Sequence, residues 1–270
     1  MPCPFSTTFN LVFGNLGDVI ALSLTAPLYK QSTIQQVACS DTPVSSSSWW
    51  QGNLLVVSYH LAFRSLSNYL HSTLETKLLA SEKDKPQKGG DGAKGEKESR
   101  KKQTQQLVQI LAGCFSLVAL YPLQYTVTNV LAGTAGSAVP VFDTEQSKSL
   151  QDYHRVYRGV GSMVMSFVLH QQFLHLLRNR FGQLSNKNWK KTFFWEQIAL
   201  GSASSIAYPM ETISRRKQVH VALGEATSDS LFGGLPIFLL RNSLCSGILM
   251  AYSSEVCQDV MRKVVMKFFH

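Results

Sequence analysis

One motif, a proline followed at a distance by a glycine, occurs three times and restricts the possible folds more than any other feature. The prolines, each after an apolar stretch, are Pro27, Pro122 and Pro209. The glycines, each ending an aromatic-x-Gly element, are Gly52, Gly159 and Gly234. The intervals are 25, 37 and 25 residues (27 to 52, 122 to 159 and 209 to 234). Self-similarity of this kind indicates a repeat architecture, so three related units are predicted.

Apolar segments on both sides of each motif predict two long helices per unit. The six spans are 9–37, 53–80, 104–132, 160–181, 192–221 and 236–267. Most exceed the roughly 20 residues that cross a bilayer. A proline inside a helix removes a hydrogen bond and kinks the helix, so three kinked helices would converge at one end. The predicted fold class is an all-α membrane protein: six transmembrane helices in three pseudo-threefold repeats, joined by short connecting helices.

The composition favours a membrane protein with a polar interior. Charged residues make up 16% of the chain, against about 25% in soluble domains. The mean hydropathy of −0.01 is nevertheless modest. Polar residues interrupt the spans: Asp18, Asn53, Asn68, Gln124, Asn129, Glu211 and Asn242. Polar side chains at bilayer depth usually face the interior of a helix bundle.

A charged insert separates the first two units. Residues 81–102 read SEKDKPQKGGDGAKGEKESRKK and contain much of the clustered positive charge behind the net charge of +9. Such a segment cannot bury a core and is predicted to be disordered; a docking arm for a partner or for lipid head groups is the alternative. The predicted boundaries are 1–80 for repeat 1, 81–102 for the insert, 103–181 for repeat 2 and 182–270 for repeat 3. No nucleic-acid partner is expected.

The sequence contains none of the motifs by which common catalytic or metal sites are recognised. Its five cysteines are dispersed without a C-x-x-C pair, which argues against a zinc site or a disulfide framework. His170 and His175 are five residues apart and do not share a helical face. The chain is therefore predicted not to be an enzyme and to hold no metal or cofactor, with the possible exception of a bound lipid.

Three stretches resemble the mitochondrial carrier family, and within it the ADP/ATP carriers. They are SIAYPMETISRRKQV at 205–219, SWWQGNLLVVSY at 48–59 and LLRNSLCSG at 239–247. The family's repeat contains Pro-x-(Asp/Glu)-x-x-(Lys/Arg) and then an aromatic-(Lys/Arg)-Gly element. The resemblance implies a multi-pass protein of the mitochondrial inner membrane, with the connecting helices on the matrix side and the insert facing the intermembrane space. It also implies cardiolipin at Gly52, Gly159 and Gly234, where helix N-termini offer free N–H groups to phosphate.

The family's matrix gate pairs an acid two residues after each proline with a base from the next repeat. The acidic positions correspond here to Tyr29, Gln124 and Glu211, and the basic positions to Ser32, Val127 and Ser214. Only Glu211 keeps its charge. Since such a gate works as a switch only when both partners are charged, the sequence predicts a gate that has almost lost its ion pairs.

The family's substrate positions are similarly altered. The residues that match them are Arg241, Tyr59, Ser166, His170 and Gln171. A single Arg in place of a cationic cluster would hold a nucleotide poorly. Arg241 is interpreted either as a ligand contact or as the partner of Glu211. The run Arg215, Arg216 and Lys217 is expected to snorkel to the interface, with anion binding in the cavity as the alternative.

Two functions remain at this point. The first is a non-transporting structural or accessory subunit of a respiratory-chain or ATP-synthase assembly that keeps the carrier fold. The second is an active but divergent mitochondrial solute antiporter of the ADP/ATP-carrier type. The uncharged gate positions favour the first.

Overall fold

The computed structural model describes residues 4–38, 50, 52–83, 94–132, 156–182, 189–219 and 231–252. Seven helices and no strands occur within these ranges. They are α1 (Pro4–Ala38), α2 (Asn53–Lys83), α3 (Lys94–Ala119), α4 (Tyr121–Leu131), α5 (Val160–Gly182), α6 (Trp189–Gln218) and α7 (Leu235–Tyr252). The all-helical prediction is confirmed for this part of the chain.

Helices α3 and α4 are two halves of one bent element. The chain turns by 63° between Ala119 and Tyr121, and Pro122 is the second residue of α4. Proline is tolerated at the start of a helix because its missing N–H has no intrahelical acceptor there. Pro27 and Pro209, in contrast, lie inside α1 and α6, which continue through them.

The helices contact one another in a closed cyclic order. α1 packs against α2, α2 against α3, α3 against α5, α5 against α6, α6 against α7, and α7 returns to α1. The bent α3–α4 element occupies one place, so the ring has six positions. Such an arrangement leaves room at its centre for a cavity.

Three glycine turns with the same geometry open α2, α5 and α7. Gly52, Gly159 and Gly234 have φ angles of 80°, 93° and 79°, values that disfavour residues with a Cβ. In each turn the N–H of the first helical residue donates to the carbonyl of the aromatic residue before the glycine, at 3.0 to 3.1 Å. The sequence-predicted aromatic-x-Gly elements therefore form one recurring structure.

Each glycine turn packs against the stretch that follows a proline in another unit. A Cβ at Gly159 would lie 2.9 Å from the Ser214 carbonyl oxygen on α6. At Gly234 it would lie 3.1 Å from the Ser32 carbonyl oxygen on α1. At Gly52 the nearest atom would be Val130 Cγ1 on α4, at 3.1 Å. The three junctions therefore follow one another around the ring.

Among the described residues, two helices are long and apolar enough to cross a membrane: Val160–Phe181 and Leu235–Tyr252. The bent pair Gln103–Ala119 and Tyr121–Leu131 adds a third if it forms a single span. Within the described ranges, α1, α2 and α6 do not meet this test. In α6 the cause is visible, because Glu196, Glu211 and Arg215 face the centre of the ring and lower the apolar character of the helix.

The helix boundaries correct one prediction. α2 continues to Lys83 and α3 begins at Lys94, so residues 81–83 and 94–102 of the insert are helical rather than disordered. The physical reason is their content of Glu, Lys and Arg, which have high helix propensity. Residues 84–93 lie outside the described part, as do the predicted connecting segments at 39–49, 133–155 and 220–230 and the predicted end of the last helix.

Candidate functional site

A cavity of about 470 Å³ lies inside the ring, and all seven helices contribute to its lining. Seven residues that the sequence indicated as substrate contacts or gate positions line it. They are Tyr29, Tyr59, Gln124, Ser166, His170, Glu211 and Arg241. The structure therefore brings together residues that are scattered over more than 200 positions of the chain.

The remaining predicted positions lie elsewhere. Gln171 is next to His170 on α5 but is not part of the lining. Ser32, Val127 and Ser214 are at most 1% exposed and are packed inside helix interfaces. Ser32 donates to the Tyr29 carbonyl at 3.0 Å, and Ser214 donates to the Gly159 carbonyl at 2.9 Å. These three positions serve packing between and within helices.

Arg215 bonds to three different side chains at the cavity. It pairs with Glu211, one turn earlier on α6, at 2.6 Å, and donates to the Tyr29 hydroxyl at 3.2 Å. It also contacts the Thr33 hydroxyl. With 3% of its surface exposed, it does not snorkel to an interface. The prediction failed because the end of α6 packs against α1, which supplies polar partners inside the protein.

The two cations after Arg215 are also held within the bundle. Arg216 is fully buried and donates from Nε to the Gln36 carbonyl at 2.9 Å. Lys217 lies 3.5 Å from the Ser162 hydroxyl. Their contacts connect α6 to α1 and to α5, so the basic run cross-links helices.

Arg241 lies over the ring of Tyr29, with its guanidinium carbon 4.1 Å from the ring centroid. The guanidinium carbon of Arg215 lies 5.0 Å from the same centroid, so one aromatic ring accepts two cation–π contacts. Arg241 does not pair with Glu211, which the sequence left as one of two possibilities, because Arg215 takes that carboxylate.

Two hydrogen bonds between neutral groups connect neighbouring helices in the cavity wall. The Tyr59 hydroxyl on α2 donates to Gln124 Oε1 on α4 at 3.0 Å. The Ser166 hydroxyl on α5 donates to the Ala207 carbonyl on α6 at 3.0 Å. In the described residues, the contacts between helices at these positions are therefore neutral hydrogen bonds.

His60 is a cavity residue that the sequence reasoning missed. Its ring centroid lies 5.3 Å from that of Tyr59 and 6.2 Å from that of Tyr29. Its Nε2 is buried and has no hydrogen-bond partner within the described ranges. A polar residue next to Tyr59 in an apolar helix was the available signal, and the matching to family positions overlooked it.

Two ion pairs between neighbouring helices were also not predicted. Asp18 on α1 pairs with Arg64 on α2. Arg178 on α5 pairs with Glu196 on α6, with Nε 2.9 Å from Oε1. Both pairs connect neighbours around the ring, and their partners are too far apart in sequence for local spacing to reveal them.

Tyrosines that precede two of the prolines fasten the glycine turns. The Tyr121 hydroxyl donates to the Arg158 carbonyl at 2.9 Å, and the Tyr208 hydroxyl donates to the Gly233 carbonyl at 2.6 Å. Each acceptor is the residue before the positive-φ glycine. The first unit has Ala26 at the corresponding place, so this contact links the helix to the turn in only two units.

The fold and the cavity define a class: a helical protein with segments able to cross a membrane and a central, partly polar cavity. No protein-family model matches the chain, and no match is found among curated proteins. In the described residues no group of three or more His, Cys, Asp or Glu side chains is arranged to hold a metal ion.

Proposed function

We propose that the chain is a non-transporting protein of the carrier fold, with six membrane spans in three repeats. In this proposal it is a structural or accessory subunit of a respiratory-chain or ATP-synthase assembly in the mitochondrial inner membrane. The cyclic order of the helices and the three equivalent glycine turns support the repeat. The sequence resemblance to mitochondrial carriers supports the location.

One observation carries the proposal: Glu211, the one charged gate candidate, forms its ion pair within its own helix. Glu211 and Arg215 are both on α6 and move as a unit. A gate that opens and closes requires charged contacts between helices, with two alternative arrangements. Tyr29 instead accepts a hydrogen bond from Arg215, and Gln124 accepts one from Tyr59, so neither position forms an ion pair between helices. These contacts suit a ring of helices that keeps one closed arrangement rather than a gate that alternates between two arrangements.

The ion pairs in the wall support the same role. Asp18–Arg64 connects α1 to α2, and Arg178–Glu196 connects α5 to α6. Both arginines are about half exposed, with 49% and 53% of their side-chain surface accessible. Such pairs contribute about 1 kcal/mol or less, so they set the register of neighbouring helices more than they stabilise the fold.

The six-span arrangement is consistent with the helix lengths. α1, α2 and α6 contain 35, 31 and 30 residues, well above the roughly 20 needed to cross a bilayer. Several of their polar groups, among them Tyr29, Glu211 and Arg215, line the cavity, as intramembrane polar groups usually do. Residues 81–83 and 94–102 of the insert continue α2 and α3 beyond the predicted spans. In this proposal the insert docks on a partner.

Membrane lipids, including cardiolipin, are further proposed partners. The first turns of α2, α5 and α7 contain no acidic residue. A lipid phosphate at these helix N-termini would therefore meet backbone N–H groups without repulsion from a carboxylate. Gly52, Gly159 and Gly234 precede these turns and remain the proposed positions.

A divergent antiporter is the second candidate, and the cavity with Arg241 in its lining favours it. Uptake into liposomes separates the two. Purified protein is reconstituted with internal ADP, phosphate or a dicarboxylate, and entry of the labelled solute is followed beside a working ADP/ATP carrier. The structural role predicts no uptake above empty liposomes. Saturable uptake that Arg241→Met abolishes would establish the antiporter instead.

A further inference from the structure

The cavity contains one more positive charge than its acidic groups neutralise. Its charged lining residues are Arg178, Arg215, Arg241, Glu196 and Glu211. Two of the arginines are paired with the two glutamates. Arg241 has no ion pair among the residues described. With the histidines neutral, the lining therefore has an excess charge of one.

The groups around Arg241 stabilise its positive charge only in part. The residue is 6% exposed, and its buried Nε has no hydrogen-bond partner in the described ranges. The contact within the protein is the face of Tyr29, at 4.1 Å. A cation–π contact offsets only part of the free energy lost when a guanidinium leaves water. A counter-anion in the cavity would supply the rest.

A second unsatisfied group lies beside the same ring. The His60 ring is 6.2 Å from Tyr29, and its buried Nε2 lacks a partner within the described part. In the tautomer with the proton on Nε2, His60 is a neutral donor. Arg241 and His60 come from α7 and α2, so two helices place donors around Tyr29.

The rest of the lining limits the size and polarity of a molecule that the cavity could bind. Apolar side chains form much of the wall, among them Phe63, Leu117, Met163, Phe167, Leu200 and Leu249. The volume of about 470 Å³ is within the range of small-molecule sites, roughly 300 to 1,000 Å³. An apolar wall with one excess cation suits a compact molecule that has a single negative charge.

We propose that the cavity binds a small organic monoanion, a monocarboxylate with an apolar body, whose carboxylate is held by Arg241 and His60. Charge matching excludes a nucleotide, since a single excess cation cannot balance three or four negative charges. Binding requires neither transport nor a host complex, so it goes beyond the structural role proposed above. Each can fail without the other.

Binding is tested on the full chain, purified in mild detergent, by titration calorimetry with butanoate, benzoate, succinate and citrate. The expected result is saturable binding of a monocarboxylate, about tenfold weaker binding of succinate, and no binding of citrate. Arg241→Met should weaken monocarboxylate binding by about tenfold or more, the usual loss when a charged hydrogen-bond partner is removed. Arg180→Met is the control, because Arg180 is exposed on α5 and does not line the cavity.

A second variant keeps the test decisive if Arg241→Met does not fold. Glu211→Gln removes the partner of Arg215 and raises the excess charge to two, so succinate should then bind more tightly than butanoate. The proposal is overturned if the unaltered protein binds neither monocarboxylate, if folded Arg241→Met binds as tightly, or if Glu211→Gln leaves the preference unchanged.

Discussion

Glu211 holds Arg215 in a 2.6 Å ion pair within α6, while both Arg215 and Arg241 lie against the ring of Tyr29. Tyr29 occupies a position where the resemblance to carriers implies an acid. In this chain the aromatic ring of Tyr29 attracts two cations without forming a salt bridge. The contact joins α1 to α6 and α7, which closes the ring between its first and last helices.

The ring of Tyr29 should matter more than its hydroxyl. Tyr29→Phe removes one acceptor for Arg215, at 3.2 Å, and should lower the free energy of unfolding by about 1 kcal/mol. Tyr29→Leu also removes both cation–π contacts, which should cost about 2 kcal/mol more at this desolvated site. Thermal unfolding in detergent compares the two variants. Equal losses would mean that the ring does not hold the two guanidiniums.

The tyrosine contacts at the glycine turns should stabilise the second and third units. Tyr121→Phe and Tyr208→Phe each remove a hydrogen bond to the carbonyl before a glycine, so each should cost about 1 to 2 kcal/mol. Tyr125→Phe is the matched control, because its buried hydroxyl has no hydrogen-bond partner among the residues described. That variant should be neutral or slightly stabilising. If all three variants lose the same stability, the contacts are not specific.

Glycine is required at the Gly159 turn but not at Gly161 inside α5. Gly159→Ala places a Cβ 2.9 Å from the Ser214 carbonyl oxygen at a φ of +93°, and should cost about 2 kcal/mol or more through strain and displacement of α6. Gly161→Ala, two residues later in α5, meets nothing within 4 Å. It should stabilise the helix by about 0.5 to 1 kcal/mol. Unfolding midpoints of the two variants should move in opposite directions.

Much of the fold follows from the sequence. The predicted spans 53–80, 160–181 and 192–221 begin and end within a few residues of α2, α5 and α6, because apolar segments between Gly and Pro signals are strong helix indicators. The aromatic-x-Gly pattern located Gly52, Gly159 and Gly234, and the structure shows that all three have positive φ. The helical ends of the insert were missed, because a low apolar content was given more weight than the helix propensity of Glu, Lys and Arg.

The site was predicted in outline but not in its contacts. Seven of the eleven predicted substrate-contact and gate positions line the cavity. The partners could not be deduced. Arg215 rather than Arg241 pairs with Glu211, because side chains four apart on a helix meet, whereas a pair across helices depends on packing. His60 contacts Tyr29 through the α1–α2 interface, which no local spacing reveals.

Restoring a charge at a gate position should harm the protein. Ser32 is fully buried, and the Glu211 carboxylate nearby on α6 is already paired with Arg215, so Ser32→Lys would bury an ammonium group without a free acid among the described cavity residues. The expected loss is about 3 kcal/mol or more of unfolding free energy. Ser72→Lys, at an exposed position on α2, should change stability little. A stabilised Ser32→Lys variant would show that an acid is within reach and that a latent ionic gate exists.

The central claim, a structural subunit, is tested most directly by native electrophoresis of mitochondrial membranes solubilised in mild detergent and probed for this chain. The account predicts that the chain migrates with a large respiratory-chain or ATP-synthase assembly and is absent near its monomer mass of 30.0 kDa plus detergent. Migration only near the monomer mass would contradict it.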